Sequence, residues 1–168
     1  MAMIGMTAYR RKQSRLTNPW IYSIMIGFYG GVIWSVFHWL AYVLKFTSLL
    51  PGYLADPFFR QPFLRSWWGN LTGIVFFVLF SVAAALLYWV LLGRFRGPWP
   101  GLIYGALWWA VMFYAVGPFF DMTEPAAKLG LNTLLTELSI HVLWGLFIGY
   151  SIAFEFHDEA SREPLSAQ

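Results

Sequence analysis

The segment Leu131-Asn132-Thr133-Leu134-Leu135-Thr136-Glu137-Leu138-Ser139-Ile140-His141-Val142-Leu143-Trp144-Gly145, which continues apolar to Phe156, decides what kind of chain this is. It is long and apolar enough to cross a bilayer, which takes about 20 residues of helix. Yet it carries a carboxylate and an imidazole four positions apart. On a helix that spacing places Glu137 and His141 on one face, one turn apart, with Thr133 a turn before and Gly145 a turn after. Ionisable groups are costly inside a bilayer and point into a bundle or a wet cavity rather than at lipid. The rest of the chain must therefore supply further helices around this one.

Composition agrees. Of 168 residues, 59% are hydrophobic and 11% charged, where a soluble domain carries about 25% charged residues. The deficit is spread over several long apolar runs, which makes this an all-α, polytopic membrane protein of one domain. There is no cysteine, so disulfides and thiolate chemistry are excluded. The net charge of +3 comes from short basic clusters beside apolar runs. That distribution gives no argument for a nucleic-acid partner.

Four transmembrane helices are expected, at about 20–44, 68–92, 101–117 and 131–156, within a membrane domain covering 19–156. Residues 1–18 form a basic segment with Arg10, Arg11, Lys12 and Arg15. The apolar run after it exceeds the roughly 7–15 residues of a signal-peptide core, so it should stay attached as an anchor. Asn18-Pro19 reads as a helix cap followed by a first-turn proline. Residues 46–66 hold Pro51, Pro57 and Pro62 among many aromatics, which predicts an irregular loop lying along the membrane interface. The third span should stop at Gly117-Pro118, or be extended by Pro118-Phe119-Phe120 at the interface, and residues 157–168 form a polar tail. Seven Lys and Arg fall on the side of the termini and four (Lys45, Arg60, Arg65, Lys128) on the other. Both termini are therefore expected in the cytoplasm.

Small residues recur every four positions in three of the spans. Gly27 and Gly31 lie in a row with Ser23 and Ser35; Gly101 and Gly105 follow Gly97; Gly145 and Gly149 precede Ala153. Such rows let backbones approach closely where lipid provides no hydrophobic drive. All three rows fall in the half of the membrane nearer the termini. Helices one, three and four are accordingly expected to pinch together there and to open toward the loops around a polar pocket. The spacing Gly27-x3-Gly31-x2-Trp34-x6-Ala41 also recurs as Gly101-x3-Gly105-x2-Trp108-x6-Ala115, a faint parallel repeat.

His38, Glu137 and His141 are the strongly ionisable groups well inside the spans, the first two roughly 9 Å from their helix ends. Three roles compete for them. They could orient helix one against helix four by hydrogen bonds, which fixes geometry more than stability. They could line a proton or solute path. Two imidazoles and a carboxylate could also bind a metal such as zinc, although no HExxH or ExxH spacing supports it. No catalytic residue is assigned: there is no GxSxG, no phosphate-binding glycine loop and no carboxylate pair inside the membrane.

The phrases Gly101-x3-Gly105-x2-Trp108, Pro118, Thr123-Glu124-Pro125 and Glu137-x3-His141-x2-Trp144-Gly145, with Gly27 through Trp39 in the first span, resemble the conserved membrane proteins called YqhR. More distantly they resemble the YagU-type inner-membrane proteins. The resemblance runs from about residue 20 to residue 152. It implies a four-helix protein of the bacterial cytoplasmic membrane, and it brings no activity, cofactor or catalytic residue to carry over. The leading expectation is a small non-enzymatic membrane protein, without cofactor, acting through the lipid bilayer, self-association as a homo-oligomer or another membrane protein. A small transporter or channel-like protein using the His38, Glu137 and His141 pocket is the alternative, and a membrane metalloprotein comes third.

Overall fold

Helices that are apolar on every side need a bilayer around them, and four such helices account for most of this chain. A computed structural model describes residues 18–158. The long helices are α1 (Pro19–Val43), α2 (Trp67–Leu92), α3 (Trp99–Phe119) and α4 (Leu131–Phe156). Among the described residues no strand occurs. Most of the basic N-terminal segment and of the polar tail lies outside the described residues.

Local chemistry sets the boundaries. The Asn18 side chain accepts the Trp20 N–H at 3.0 Å, and Pro19 fills the first turn of α1 without wasting a donor. Ser66 caps α2 by accepting from the Gly69 N–H at 3.1 Å. The third helix continues through Gly117-Pro118 and ends at Phe119, so the extended of the two expected ends is the one found. Pro118 has no N–H, and its ring crowds the carbonyl four residues back. A π turn over Met112–Val116 widens the ladder just before it, so the helix absorbs the proline instead of ending there.

The helices associate as two antiparallel pairs. The row on α1 seats it on α2: a Cβ at Gly31 would lie 2.6 Å from the Val78 Cα, and one at Gly27 2.6 Å from the Val82 Cα. The row on α3 seats it on α4: a Cβ at Gly145 would lie 2.5 Å from the Gly105 Cα, and one at Gly149 2.6 Å from the Gly101 Cα. The expected pinch of helices one, three and four is therefore wrong in its pairing. A row of small residues shows that a backbone can come close, not which backbone comes. The repeated spacing in α1 and α3 nevertheless serves one purpose in both, seating each helix on the next in sequence.

Between the pairs, α1 meets α4 at Gly30, where Phe147 lies in the place of a partner helix backbone. Trp144, Ile148, Ile152, Tyr88 and Phe113 fill the centre and are buried. Trp144 donates its indole N–H to Ser81 Oγ at 2.8 Å, and Tyr104 donates its hydroxyl to the Ala84 carbonyl at 2.7 Å. Trp144, Ser81 and Tyr104 thus satisfy polar atoms across helices, as a medium without water favours. Outward faces carry Trp20, Phe28, Val75, Val90 and Leu107, all exposed and apolar, which suits contact with acyl chains.

The first loop departs from expectation. Its aromatic tips Phe58 and Phe59 are exposed, but Leu49, Tyr53, Leu54, Ala55 and Leu64 are buried against the bundle. The loop folds back over the helix ends instead of lying flat along the interface. Two glycines on α2 permit this. A Cβ at Gly73 would strike the Pro51 carbonyl and lie 2.6 Å from the Gly52 Cα, and one at Gly69 would strike the backbone of Phe63 and Leu64.

Candidate functional site

His38 lies on the buried side of α1 with Gly31 and Ser35, two turns and one turn away, and its ring reaches across to Glu137 of α4. Glu137 faces α1 from the loop-side half of α4. The two side chains meet there, with His38 Nε2 at 2.9 Å from Glu137 Oε1. A carboxylate only accepts, so the imidazole Nε2–H is the donor. The same oxygen accepts the Thr47 hydroxyl at 2.7 Å, and Thr47 Oγ1 in turn accepts the Leu49 N–H at 3.3 Å. Glu137 is fully buried, and His38 is only 3% exposed.

His141 lies one turn further along α4, and its Nδ1 is 2.8 Å from the Glu137 carbonyl oxygen. A carbonyl cannot donate, so Nδ1 carries a proton, and when the ring is neutral Nε2 is left as a lone pair. The ring lies edge-on to Phe113 of α3 and to Trp144. Two buried polar atoms of this cluster have no partner among the described residues: Glu137 Oε2 and His141 Nε2.

The structure thus brings together His38 and Glu137 by side chain, and joins His141 to the same turn of α4 through the backbone. No group of three His, Asp or Glu side chains among the described residues is placed to hold a metal ion. His141 gives its one shared contact to a main-chain oxygen, so the three residues do not form a ligand set. The packing glycines Gly27, Gly31, Gly101, Gly105, Gly145 and Gly149 lie toward the other end of the bundle, where a Cβ on any of them would meet backbone.

Sequence reasoning missed Thr47 and Tyr53. Thr47 is 3% exposed and belongs to the loop just after α1. Its neighbour Ser48 is tied down as well: Thr133 Oγ1 accepts the Ser48 N–H at 3.1 Å, and the two hydroxyls lie 3.1 Å apart. Thr136 donates to the Phe46 carbonyl at 3.2 Å. Residues 46–50 are therefore laced to the first two turns of α4. Tyr53 packs over the His38 ring with centroids 5.7 Å apart. Burial, then the Glu137 carboxylate, push the Tyr53 phenol far above its ordinary range, so it stays neutral. The signal available in the sequence was the helical face itself: Thr133, Glu137 and His141 lie in line, and a polar segment must meet the upper part of that line.

Two clefts flank residues 46–50 on the loop side. One, of about 390 Å³, lies between the two loops and includes Ser48, Tyr53, Asp56, Arg65, Asp121 and Lys128 in its walls. Burial raises the Asp56 carboxyl from its ordinary range; the Gln61 amide, 2.6 Å away, opposes that shift, and nearby Asp121 adds to it. The other, of about 570 Å³, lies between the end of α1 and the start of α4, against Lys45, Thr47, Ser48, Asn132 and Thr133. Neither includes Glu137, His38 or His141 in its lining.

Residues 7–166 of the chain match the family model described as conserved membrane protein YqhR. A protein of Bacillus subtilis (strain 168), named Uncharacterized protein YqhR, is 35% identical over 137 residues, which cover 82% of this chain and 77% of that one. No solved structure matches.

Proposed function

We propose that this chain, which belongs to the YqhR family of conserved membrane proteins, works without enzymatic chemistry in the bacterial cytoplasmic membrane, through a protein partner, the surrounding lipid or self-association. The observation that carries this reading is the sealing of the intramembrane polar cluster. A transporter needs its ionisable groups to reach water from alternate sides. Here Glu137 and His141 are at most 1% exposed, residues 46–50 and Tyr53 lie over the cluster, and glycine-seated helix pairs fill the other half. Such a cluster serves geometry: it fastens the first loop and α1 to α4. Polar pairs across membrane helices contribute about 0.6 kcal/mol each, and up to about 2, which suits a role in orientation.

The orientation proposed is both termini inside, on the strength of the Lys and Arg distribution. Proteoliposomes containing the full chain and a trapped pH dye should show no proton or cation flux above empty vesicles across a pH gradient. A flux that vanishes in Glu137→Gln with the fold intact would replace this reading by the transporter. For topology, a reporter fused after Gln168 should read cytoplasmic. A thiol introduced as Phe58→Cys, at a site 71% exposed, should react with an impermeant reagent from outside whole cells. Opposite signals would invert the orientation.

A further inference from the structure

We infer that Glu137 is a proton-binding site served from the loop side of the membrane alone, and that proton uptake there loosens residues 46–50. The first ground is the inventory of donors and acceptors. Glu137 Oε1 is fully used, accepting from both Thr47 and His38. Glu137 Oε2 and His141 Nε2 are both buried, both without a partner among the described residues, and both acceptors when the carboxyl group is ionised and the ring neutral. They belong to adjacent turns of one helix face. A proton taken from water onto Oε2 turns one of these two acceptors into a donor and breaks none of the hydrogen bonds already made. The step is an acid–base exchange: the carboxylate gains the proton, a water molecule or hydronium ion loses it, and no other bond changes.

The second ground is access. Residues 46–50 separate the cluster from the two loop-side clefts: Thr47 and Ser48 line one, and Ser48 and Leu49 the other. Toward the termini the path is closed by Trp144, Ile148 and Ile152, each fully buried, and by the contact of Gly101 and Gly105 with Gly145 and Gly149. A proton can arrive and leave on one side only. The inference rests on the non-transporting reading in that respect, since a one-sided site binds without conducting.

The consequence follows from bond strength. Hydrogen bonds to a carboxylate are shorter and about twice as strong as those to a neutral acid. Protonation of Oε2 keeps Oε1 as an acceptor but removes its charge, which weakens both the Thr47 and the His38 bond. Thr47 is the residue of the segment that holds Glu137 directly, so the segment loosens as pH falls. The titratable groups around the carboxyl are His38 from α1, Tyr53 from the loop and His141 from α4. On α2 and α3, Phe77, Phe80, Ser81 and Phe113 pack near His141 and Trp144 and do not titrate, while the titratable Tyr104 stacks on Trp144 and gives its hydroxyl to the Ala84 carbonyl, away from the carboxyl group. Lys45, Asp56, Arg65, Asp121, Glu124 and Lys128 lie in the cleft walls and set the local potential.

The chain has no cysteine, so one introduced thiol reports one position. Leu49→Cys places it on the covering segment, at a site 7% exposed, and Phe58→Cys gives an exposed reference. The full chain in vesicles of mixed neutral and anionic phospholipid is labelled with an impermeant maleimide from about pH 8 to about pH 4, which spans the histidine range and reaches that of carboxyl groups. Dividing by the reference removes the intrinsic pH dependence of the thiol. The ratio should rise about tenfold as pH falls and stay flat in Leu49→Cys/Glu137→Gln. A flat ratio in the parent, or an equal rise in the Leu49→Cys/Glu137→Gln double variant, would overturn the proposal. Should Leu49→Cys misfold, amide exchange of residues 46–55 relative to 69–73 in the unsubstituted chain and in Glu137→Gln reads the same opening, and equal profiles would again refute it. Flux measured on the same vesicles separates the two ideas. Flux with a pH-dependent ratio would sink one-sidedness along with the non-transporting reading, whereas no flux with a flat ratio would sink the proton site alone.

Discussion

Gly105→Leu should unfold the protein more readily than any change on its lipid-facing surface, lowering stability by about 3 kcal/mol or more. A side chain at residue 105 has nowhere to go. Its Cβ would strike the His141 carbonyl oxygen and lie 2.9 Å from the Val142 Cα, and both neighbours are main chain that no rotamer change can move. Even Ala should be harmful, so α3 and α4 must separate along their whole crossing. For a chain of this size that cost corresponds to a fall of roughly 6–12 °C in the unfolding midpoint. Two controls make the comparison fair. Gly130→Ala, where nothing lies within 4 Å of the added carbon, should be neutral. Leu107→Ala, at a site 57% exposed to the bilayer, should cost well under about 1 kcal/mol. Thermal unfolding in detergent, followed by light scattering or helix signal, decides. A Gly105→Leu protein as stable as its parent would mean that α3 and α4 do not cross here.

The contact at Gly105 also explains why packing and the polar cluster are one problem. The carbonyl that Gly105 meets belongs to His141, the residue bonded back to Glu137. Moving α3 away from α4 therefore releases the turn that carries both ionisable groups. The same variant should raise the labelling of Leu49→Cys at neutral pH.

What the sequence made legible was whatever is periodic or local. The four spans follow from long apolar runs and from the Pro and Gly residues between them. Asn18-Pro19 announced its helix start correctly, and the shared face of Glu137 and His141 follows from 3.6 residues per turn. Pairing was not legible, because Gly27 and Gly31 present the same smooth row to any neighbour. Only the depth of Val78 and Val82 on α2 decides where α1 rests. The loop was misjudged for a related reason. Its prolines and aromatics describe how it behaves alone, while its fold-back depends on Gly69 and Gly73, two residues of another helix. Those glycines echo the spacing at Gly145 and Gly149, but they receive loop backbone instead of helix. Nothing in the neighbourhood of Thr47 singles it out, and the pointer to it lies on another element, in the line of Thr133, Glu137 and His141. The π turn before Pro118 was invisible too: a proline reads as a stop unless the preceding turn can widen.

His38→Ala should be the most damaging substitution in the cluster, costing about 2–4 kcal/mol. Part of that is the cavity left by a buried ring that packs under Tyr53. The rest is the loss of one of two donors to a carboxyl group that has no exposed surface. Glu137→Gln should cost less than about 1 kcal/mol. Its amide oxygen can still accept from Thr47 and His38, and its NH₂ takes the place of an oxygen that had no partner. The two effects should not add. Once His38 is gone, replacing the carboxylate by a neutral amide removes the unpaired charge, so His38→Ala/Glu137→Gln should be more stable than the sum of the single changes by about 1 kcal/mol or more. The cycle is read from four unfolding midpoints at neutral pH in one detergent. Strict additivity would mean that His38 and Glu137 are neighbours without coupling, and a neutral His38→Ala would mean that the imidazole does not hold the carboxyl group at all.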